Sequence, residues 1–196
     1  MKTGLILLLF LTSIFADAQK SYRDSLQTFI ATYVKDHEVV TGDDKKYLKF
    51  FKVDPAYRVV ATFNPSPDSK WFSMETSGNS KQVFRIYGYL DFKIHDTAAR
   101  LEIYQSQGLM TTEKYKNHLF LPFTDLTSGE ESYAAGRYID LETTDIVKGK
   151  VVIDFNKAYN PYCAYVSGKY NCPIPPRNNQ LNLGIHAGEM TFAKAH

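Results

Sequence analysis

From Tyr57 onward the chain alternates apolar and polar residues with a period of two. The clearest run is VFRIYGYLDFKI, residues 83–94. There Phe84, Ile86, Leu90, Phe92 and Ile94 share one parity, and Val83, Arg85, Tyr87, Tyr89, Asp91 and Lys93 share the other. Such alternation marks an antiparallel strand with one covered face. YRVVATF (57–63), WFSMET (71–76), ARLEIYQS (99–106), HLFLPF (118–123), GRYIDLE (136–142), KVVIDFN (150–156) and LNLGIHAGEMTF (181–192) predict further strands, with turns at NPSPD and SGNS. Short strands at close spacing predict one mainly β domain, an antiparallel barrel or a sandwich. One stretch departs from the pattern. In SYRDSLQTFIATYVKD (21–36), Tyr22, Leu26, Phe29, Ile30 and Tyr33 recur at helical spacing. They predict an N-terminal amphipathic helix packed on the sheet, with Ser21 and Asp24 as its capping box.

The first residues carry a different pattern. Lys2, an apolar run from Gly4 to Phe15, and Ala16-Asp17-Ala18 make up a secretory signal peptide pattern over residues 1–18, with cleavage before Gln19. The apolar run is shorter than the roughly 20 residues that a membrane span needs. Residues 19–196 are then expected to form a single β-rich domain in the periplasm or outside the cell, soluble and with no transmembrane segment. Charge adds little. Lys plus Arg number 23 and Asp plus Glu 21, for a net +2. Removing Lys2 and Asp17 leaves that balance unchanged. The basic residues are scattered, so nucleic acid is not an expected partner.

Export decides how the two cysteines are read. In AYNPYCAYVSGKYNCPIPP, Cys163 and Cys172 are nine positions apart. A hairpin centred on Ser167-Gly168 pairs Cys163 with Cys172 and puts Tyr165 and Tyr170 on the same face. In a non-hydrogen-bonded pair the Cα atoms are about 4.5 Å apart, at the short end of disulfide geometry. An oxidising compartment favours the bridge. A zinc site would need two more ligands, with only His95 and His186 to offer, and a nucleophilic thiol lacks a Cys/His signature. No metal site and no cofactor are expected. The prolines of CPIPP predict an extended strap beyond the second cysteine.

FTDLTSGEESYAAGRYIDLE, IDFNKAYNPYCAY and CPIPPRNNQLNLGIHAGE together resemble the bacterial family known as domain of unknown function 1684. The resemblance is strongest from His118 to Glu189. It implies as motif positions Asp125, Thr127, Gly129, Tyr133, Gly136, Arg137, Asp140, Asp154, Phe155, Asn156, Tyr159, Asn160, Cys163, Cys172, Asn179, Gly188 and Glu189. Relatives often have Glu-Asn after the double proline where this chain has Asn178-Asn179. The family implies no established activity.

No G-x-S-x-G, P-loop, dinucleotide glycine pattern or H-E-x-x-H is present. Two functions follow as expectations. One is a binding module for a small, anionic or envelope-derived ligand. Its candidate residues are Tyr133, Arg137, Asp154, Asn156, Tyr159, Asn160 and Glu189. The other is a hydrolase with paired carboxylates, Asp154 or Glu189 serving as acid or base. Arg137 shares a strand face with Ile139 and Leu141, so it is expected to point inward, held by Asp154 or Glu189 at the wall of a pocket.

Overall fold

The computed structural model describes the backbone of residues 3–194 and the side chains from Lys20 onward. The expected signal segment lies outside the described side chains. One long helix, α1 (Thr3–Asp36), precedes seven strands: β1 (Arg58–Pro65), β2 (Phe72–Met74), β3 (Gln82–Ile94), β4 (Thr97–Ser106), β5 (His118–Phe123), β6 (Arg137–Glu142) and β7 (Lys150–Asp154). They form one antiparallel sheet in the order β6-β5-β4-β3-β1-β7, with β2 paired to β3 off that path.

The sheet is a curled half-barrel, which corrects the expectation of a closed barrel or a two-sheet sandwich. Closure fails at β7. The Asp154 carboxylate accepts from the Asn156 amide and turns the chain into a 3-10 segment, Phe155–Lys157. Tyr159, beyond that turn, takes the bridge to Tyr138 of β6 that β7 would otherwise occupy. The tight β3–β4 connection has positive φ at both His95 and Asp96, the geometry of a type I′ hairpin turn.

One face of the sheet packs the main core: Leu90, Phe92, Leu101, Ile103, Leu119, Leu121, Ile139 and Ile153 among others. The opposite face carries a smaller cluster of Met74, Phe84, Tyr104, Phe120 and Tyr138. The even positions of β3 therefore do not all face one way. A register shift between Ile86 and Gly88 inserts an extra residue, so that Ile86 sits opposite Tyr104 while Leu90 sits opposite Leu101. A bulge flips the face of everything beyond it. The sequence parity is unbroken, yet Phe84 and Ile86 end on the other side from Leu90, Phe92 and Ile94.

The C-terminal stretch expected as a strand is extended but unpaired with the sheet. Leu181, Ile185 and Ala187 plug the main core. Its amides and carbonyls go to loops: Phe51 N–H donates to Gly188 O, and Met190 N–H to Lys49 O. Asn179 performs the joining that β4 and β5 lack, since those strands pair only at Tyr104–Phe120. Its side chain accepts from the Glu102 amide at 2.8 Å and donates to Glu102 O at 2.8 Å and Pro122 O at 2.6 Å. A side-chain amide thus stands in for a backbone one beside Pro122, which has no N–H to give.

α1 runs through Ser21 and Asp24 without a break, so the expected capping box does not form. The helix is longer than the amphipathic stretch read from the sequence. From Tyr22 on, one side docks. Leu26 is 1% exposed, Tyr22 donates to Asp154, and Arg23 donates to Val53 O. Burying Leu26 contributes about 2 kcal/mol.

Candidate functional site

Arg137 does point inward with Ile139 and Leu141, and it is fully buried. Its partners differ from those expected. Nη2 donates to Asp125 Oδ2 at 2.8 Å and to Ile185 O at 2.9 Å, and Nη1 donates to Ala187 O at 2.5 Å and Glu189 O at 3.2 Å. Asp154 is not a partner because strand alternation sends it to the opposite face from Ile153, which packs in the main core. Glu189 contributes its backbone carbonyl only. Asp125 Oδ1 accepts from Thr127 N, Thr127 Oγ1 and Ile185 N. The guanidinium also lies 5.3 Å from the Phe123 ring and 5.8 Å from the Phe51 ring. This closed clasp ties the 125–132 loop and the C-terminal segment to β6. Gly136, at φ +91°, leaves room for it, since a Cβ there would meet Phe123 O at 2.5 Å.

Glu189 is a second buried acid, with no cation paired to its carboxylate among the described residues. Oε1 accepts from Tyr165 OH at 2.7 Å, and Oε2 accepts from Tyr33 OH at 3.1 Å and Asn160 N at 2.9 Å. Burial pushes its pKa up to about 7, against the lowering effect of those donors. Asn160 donates to Met190 O, and its Oδ1 has no partner among the described residues. Asp154 accepts from Tyr22 OH at 3.0 Å, while Asn156 bridges Asp154, Asp54 and Tyr22. Tyr133 is half-buried in a satellite cluster with Val40, Leu48 and Phe192.

A large cleft lies elsewhere, beneath the C-terminal end of α1. Its volume is about 740 Å³. Phe29, Tyr33, Asp36 and His37 form one wall, Tyr138 and Asp140 of β6 the floor, and the 159–173 segment the far wall. That far wall is what the cysteines hold. Cys163 and Cys172 are bridged, with Cα atoms 6.3 Å apart. The expected hairpin is absent. The chain instead makes a 3-10 turn at Tyr162–Ala164, and the backbone of 172–174 bonds to Glu75 and Ser77. Tyr170 consequently packs against Tyr162 at 5.1 Å, and Tyr165 turns inward against His37 at 4.7 Å. The proline strap passes over β6, where Tyr138 OH donates to Pro173 O.

Of the candidate ligand residues named from sequence, Tyr159 alone lines this cleft, with the motif positions Asp140 and Cys172 beside it. Its hydroxyl donates to Asp140 Oδ2 at 2.9 Å, and His118 Nε2 lies 3.0 Å from Asp140 Oδ1. Burial and that carboxylate hold the Tyr159 phenol well above its ordinary pKa. A smaller cleft of about 490 Å³ shares Phe29, Asp140 and Tyr159 and also reaches Arg58, Asp154 and Lys157. Arg137, Asn156, Asn160, Tyr133 and Glu189 line neither. The sequence reading missed Phe29, Tyr33, His37, Tyr162 and Tyr170. Phe29 and Tyr33 were visible only as the apolar stripe of a helix, which is ordinarily read as core. Among the described residues no His, Cys, Asp and Glu cluster is placed to hold a metal ion, and no helix is long and apolar enough to cross a membrane.

The sequence profile described as "Protein of unknown function (DUF1684)" matches residues 45–190. Among solved structures, the chain is similar to the solution NMR structure of an uncharacterized protein of Haloarcula marismortui. The two are 28% identical with a TM-score of 0.67, over 91% of this chain and 99% of that one. No curated protein matches.

Proposed function

The chain belongs to this family of unknown function, and from that premise we propose that it is an exported module that binds a small or envelope-derived molecule in the aromatic cleft beneath α1. The observation that carries the reading is a contrast. The buried acids Asp125 and Glu189 are enclosed and fully engaged, whereas the 740 Å³ cleft presents aromatic faces and a half-exposed Asp140. Pockets of this size and character are the common form of small-molecule sites. Arg137 is fully buried, with both terminal nitrogens engaged by Asp125 and backbone carbonyls and Nε without a partner among the described residues, and it lines neither cleft.

Export is supported by the signal pattern and by the disulfide. It is also compatible with the contacts of Tyr22, Arg23 and Leu26, which lie beyond the expected cleavage before Gln19. The test is a ligand screen by thermal shift on the protein recovered from the exported fraction, with N-terminal sequencing of the same material. A ligand that raises Tm and is lost in Tyr159→Ala is expected. No shift from any ligand class, or an intact Met1 on exported protein, refutes the respective half.

A hydrolytic reading keeps one observation: Asp140 and Asp154 line the same 490 Å³ cleft. Asp154 is engaged by Tyr22 and Asn156, which disfavours it as acid or base. Turnover of an envelope glycan that Asp140→Asn abolishes would establish this alternative.

A further inference from the structure

We propose that the ligand of the aromatic cleft carries an organic ammonium group, a primary or quaternary amine, held against tyrosine faces and carboxylates at the C-terminal end of α1. The inference rests on the binding reading above and deepens it by naming the ligand class.

Charge is the first ground. The described residues lining the cleft include Asp36, Glu38 and Asp140 but no lysine or arginine. The protein as a whole is close to balanced at 23 basic and 21 acidic residues, so this bias belongs to the cleft. His37 is the one lining group able to turn cationic, and its surroundings oppose that. Nδ1 accepts from the Val39 and Val40 amides, at 3.3 and 2.9 Å, so it has no place for a second proton. Burial and the neighbouring Lys45 also lower its pKa.

Helix geometry adds to the same sign. α1 ends at Asp36, and its last turn, with Tyr33 and Asp36, forms one wall. The last carbonyls of a long helix carry partial negative charge and favour cations, and the Lys45 ammonium already takes the one at Lys35.

The aromatic rings are the third ground. Phe29, Tyr33, Tyr159, Tyr162 and Tyr170 line the cleft, and aromatic faces attract an ammonium group more strongly than a neutral one of the same shape. Two of these rings already hold a lysine, Lys157 over Phe29 at 5.4 Å and Lys169 over Tyr170 at 5.3 Å, which leaves Tyr33, Tyr159 and Tyr162 for a ligand. Two tyrosines also set the acids in place. Tyr162 OH donates to Glu38 Oε2 at 3.1 Å, and Tyr159 OH donates to Asp140 Oδ2 at 2.9 Å. A neutral sugar would use the ring faces but not the acidic lining.

The test is calorimetric titration of the exported protein with choline and tetramethylammonium, beside the neutral choline isostere 3,3-dimethylbutan-1-ol and N-acetylglucosamine. Choline is expected to bind, more weakly as salt rises, and its neutral isostere about tenfold less well. The double variant Asp36→Asn/Glu38→Gln, whose Tm should match wild type, is expected to lose about tenfold in choline affinity. Equal binding of choline and its neutral isostere overturns the inference, as does full choline affinity in the double variant. If N-acetylglucosamine or the neutral alcohol binds in the cleft while no ammonium probe does, the ammonium inference fails and the binding reading stands. If no probe binds, the ammonium inference fails, and the wider thermal-shift screen decides the binding reading.

Discussion

Arg137→Ala removes the cation from a closed polar clasp, and the structure says how much that should cost. Arg137 and Asp125 both have fully buried side chains, joined at 2.8 Å. Without the guanidinium, Asp125 Oδ2 loses its partner, and only Oδ1 keeps its donors from Thr127 and Ile185. The carbonyls of Ile185 and Ala187 also lose the donor that ties the C-terminal segment to β6. Breaking one side of a buried pair costs about 3–5 kcal/mol. Against a typical total of about 5–15 kcal/mol, that is about a fifth or more of the stability. For a domain of this size each kcal/mol moves Tm by about 2–4 °C, so a fall of about 6–20 °C is expected. Urea denaturation of wild type, Arg137→Ala, Asp125→Leu and the double variant Arg137→Met/Asp125→Leu measures it. The double variant should lose less than the sum of the singles, because it leaves no buried charge behind. A single variant within about 1 kcal/mol of wild type would refute the clasp.

Exported protein should show no alkylatable thiol by mass spectrometry without reductant, and opening the Cys163–Cys172 bridge should cost about 2.7 kcal/mol by the loop-entropy estimate. Because Tyr170 and Cys172 stand in the cleft wall, reduction should also weaken ligand binding; unchanged affinity would speak against that wall. Glu189 has its carboxyl raised by burial from 4.5 to about 7, so the folded chain holds this proton more tightly than the unfolded one. Its contribution is complete below about pH 4.5 and is lost as pH rises through about 7, a difference of about 3 kcal/mol. Wild-type stability should therefore fall relative to Glu189→Gln between about pH 5 and 8, and a pH-independent difference in urea midpoints would exclude the shift. Asn179→Leu should cost about 2–4 kcal/mol, since it strands the Glu102 amide and two carbonyls; a loss under about 0.5 kcal/mol would show that β4 and β5 do not need it.

Strand positions were readable from sequence because alternation records which residues leave water, and burial acts residue by residue. What alternation does not record is hydrogen-bond partnership. LNLGIHAGEMTF alternates well enough to pass for a strand, and its apolar residues are indeed buried, yet its backbone bonds go to loops and to Arg137. The bulge in β3 escaped for the same reason: parity survives an inserted residue although the face does not. Arg137 was correctly sent inward by its parity with Ile139 and Leu141. Its partner was missed because Asp125 sits just past β5, at the start of a loop that folds back. For the cysteines, spacing and compartment were enough to infer the bridge, but the hairpin lost to competing bonds from Glu75 and Ser77.

The motif residues and the cleft residues are largely different sets, and their jobs explain why. Asp125, Arg137, Asn156, Asn179 and Glu189 are buried polar groups that join loops to the sheet. Gly188, at φ +79°, lets the chain pass where a Cβ would meet Ala158 O and Phe155 O at 2.7 Å. Such positions tolerate few side chains, so they make a recognisable signature whatever the protein binds. Phe29, Tyr33, Asp36 and Glu38 lie on or just after α1, before the matched segment begins at residue 45. The helix wall of the cleft therefore stands outside the part of the chain that identifies the family. The floor and the far wall stand within it, among them Asp140 and Tyr159, joined by their 2.9 Å hydrogen bond. A ligand common to the family would have to be read on that side, and one peculiar to this chain at Asp36 and Glu38. Asp140→Asn and Asp36→Asn/Glu38→Gln separate the two.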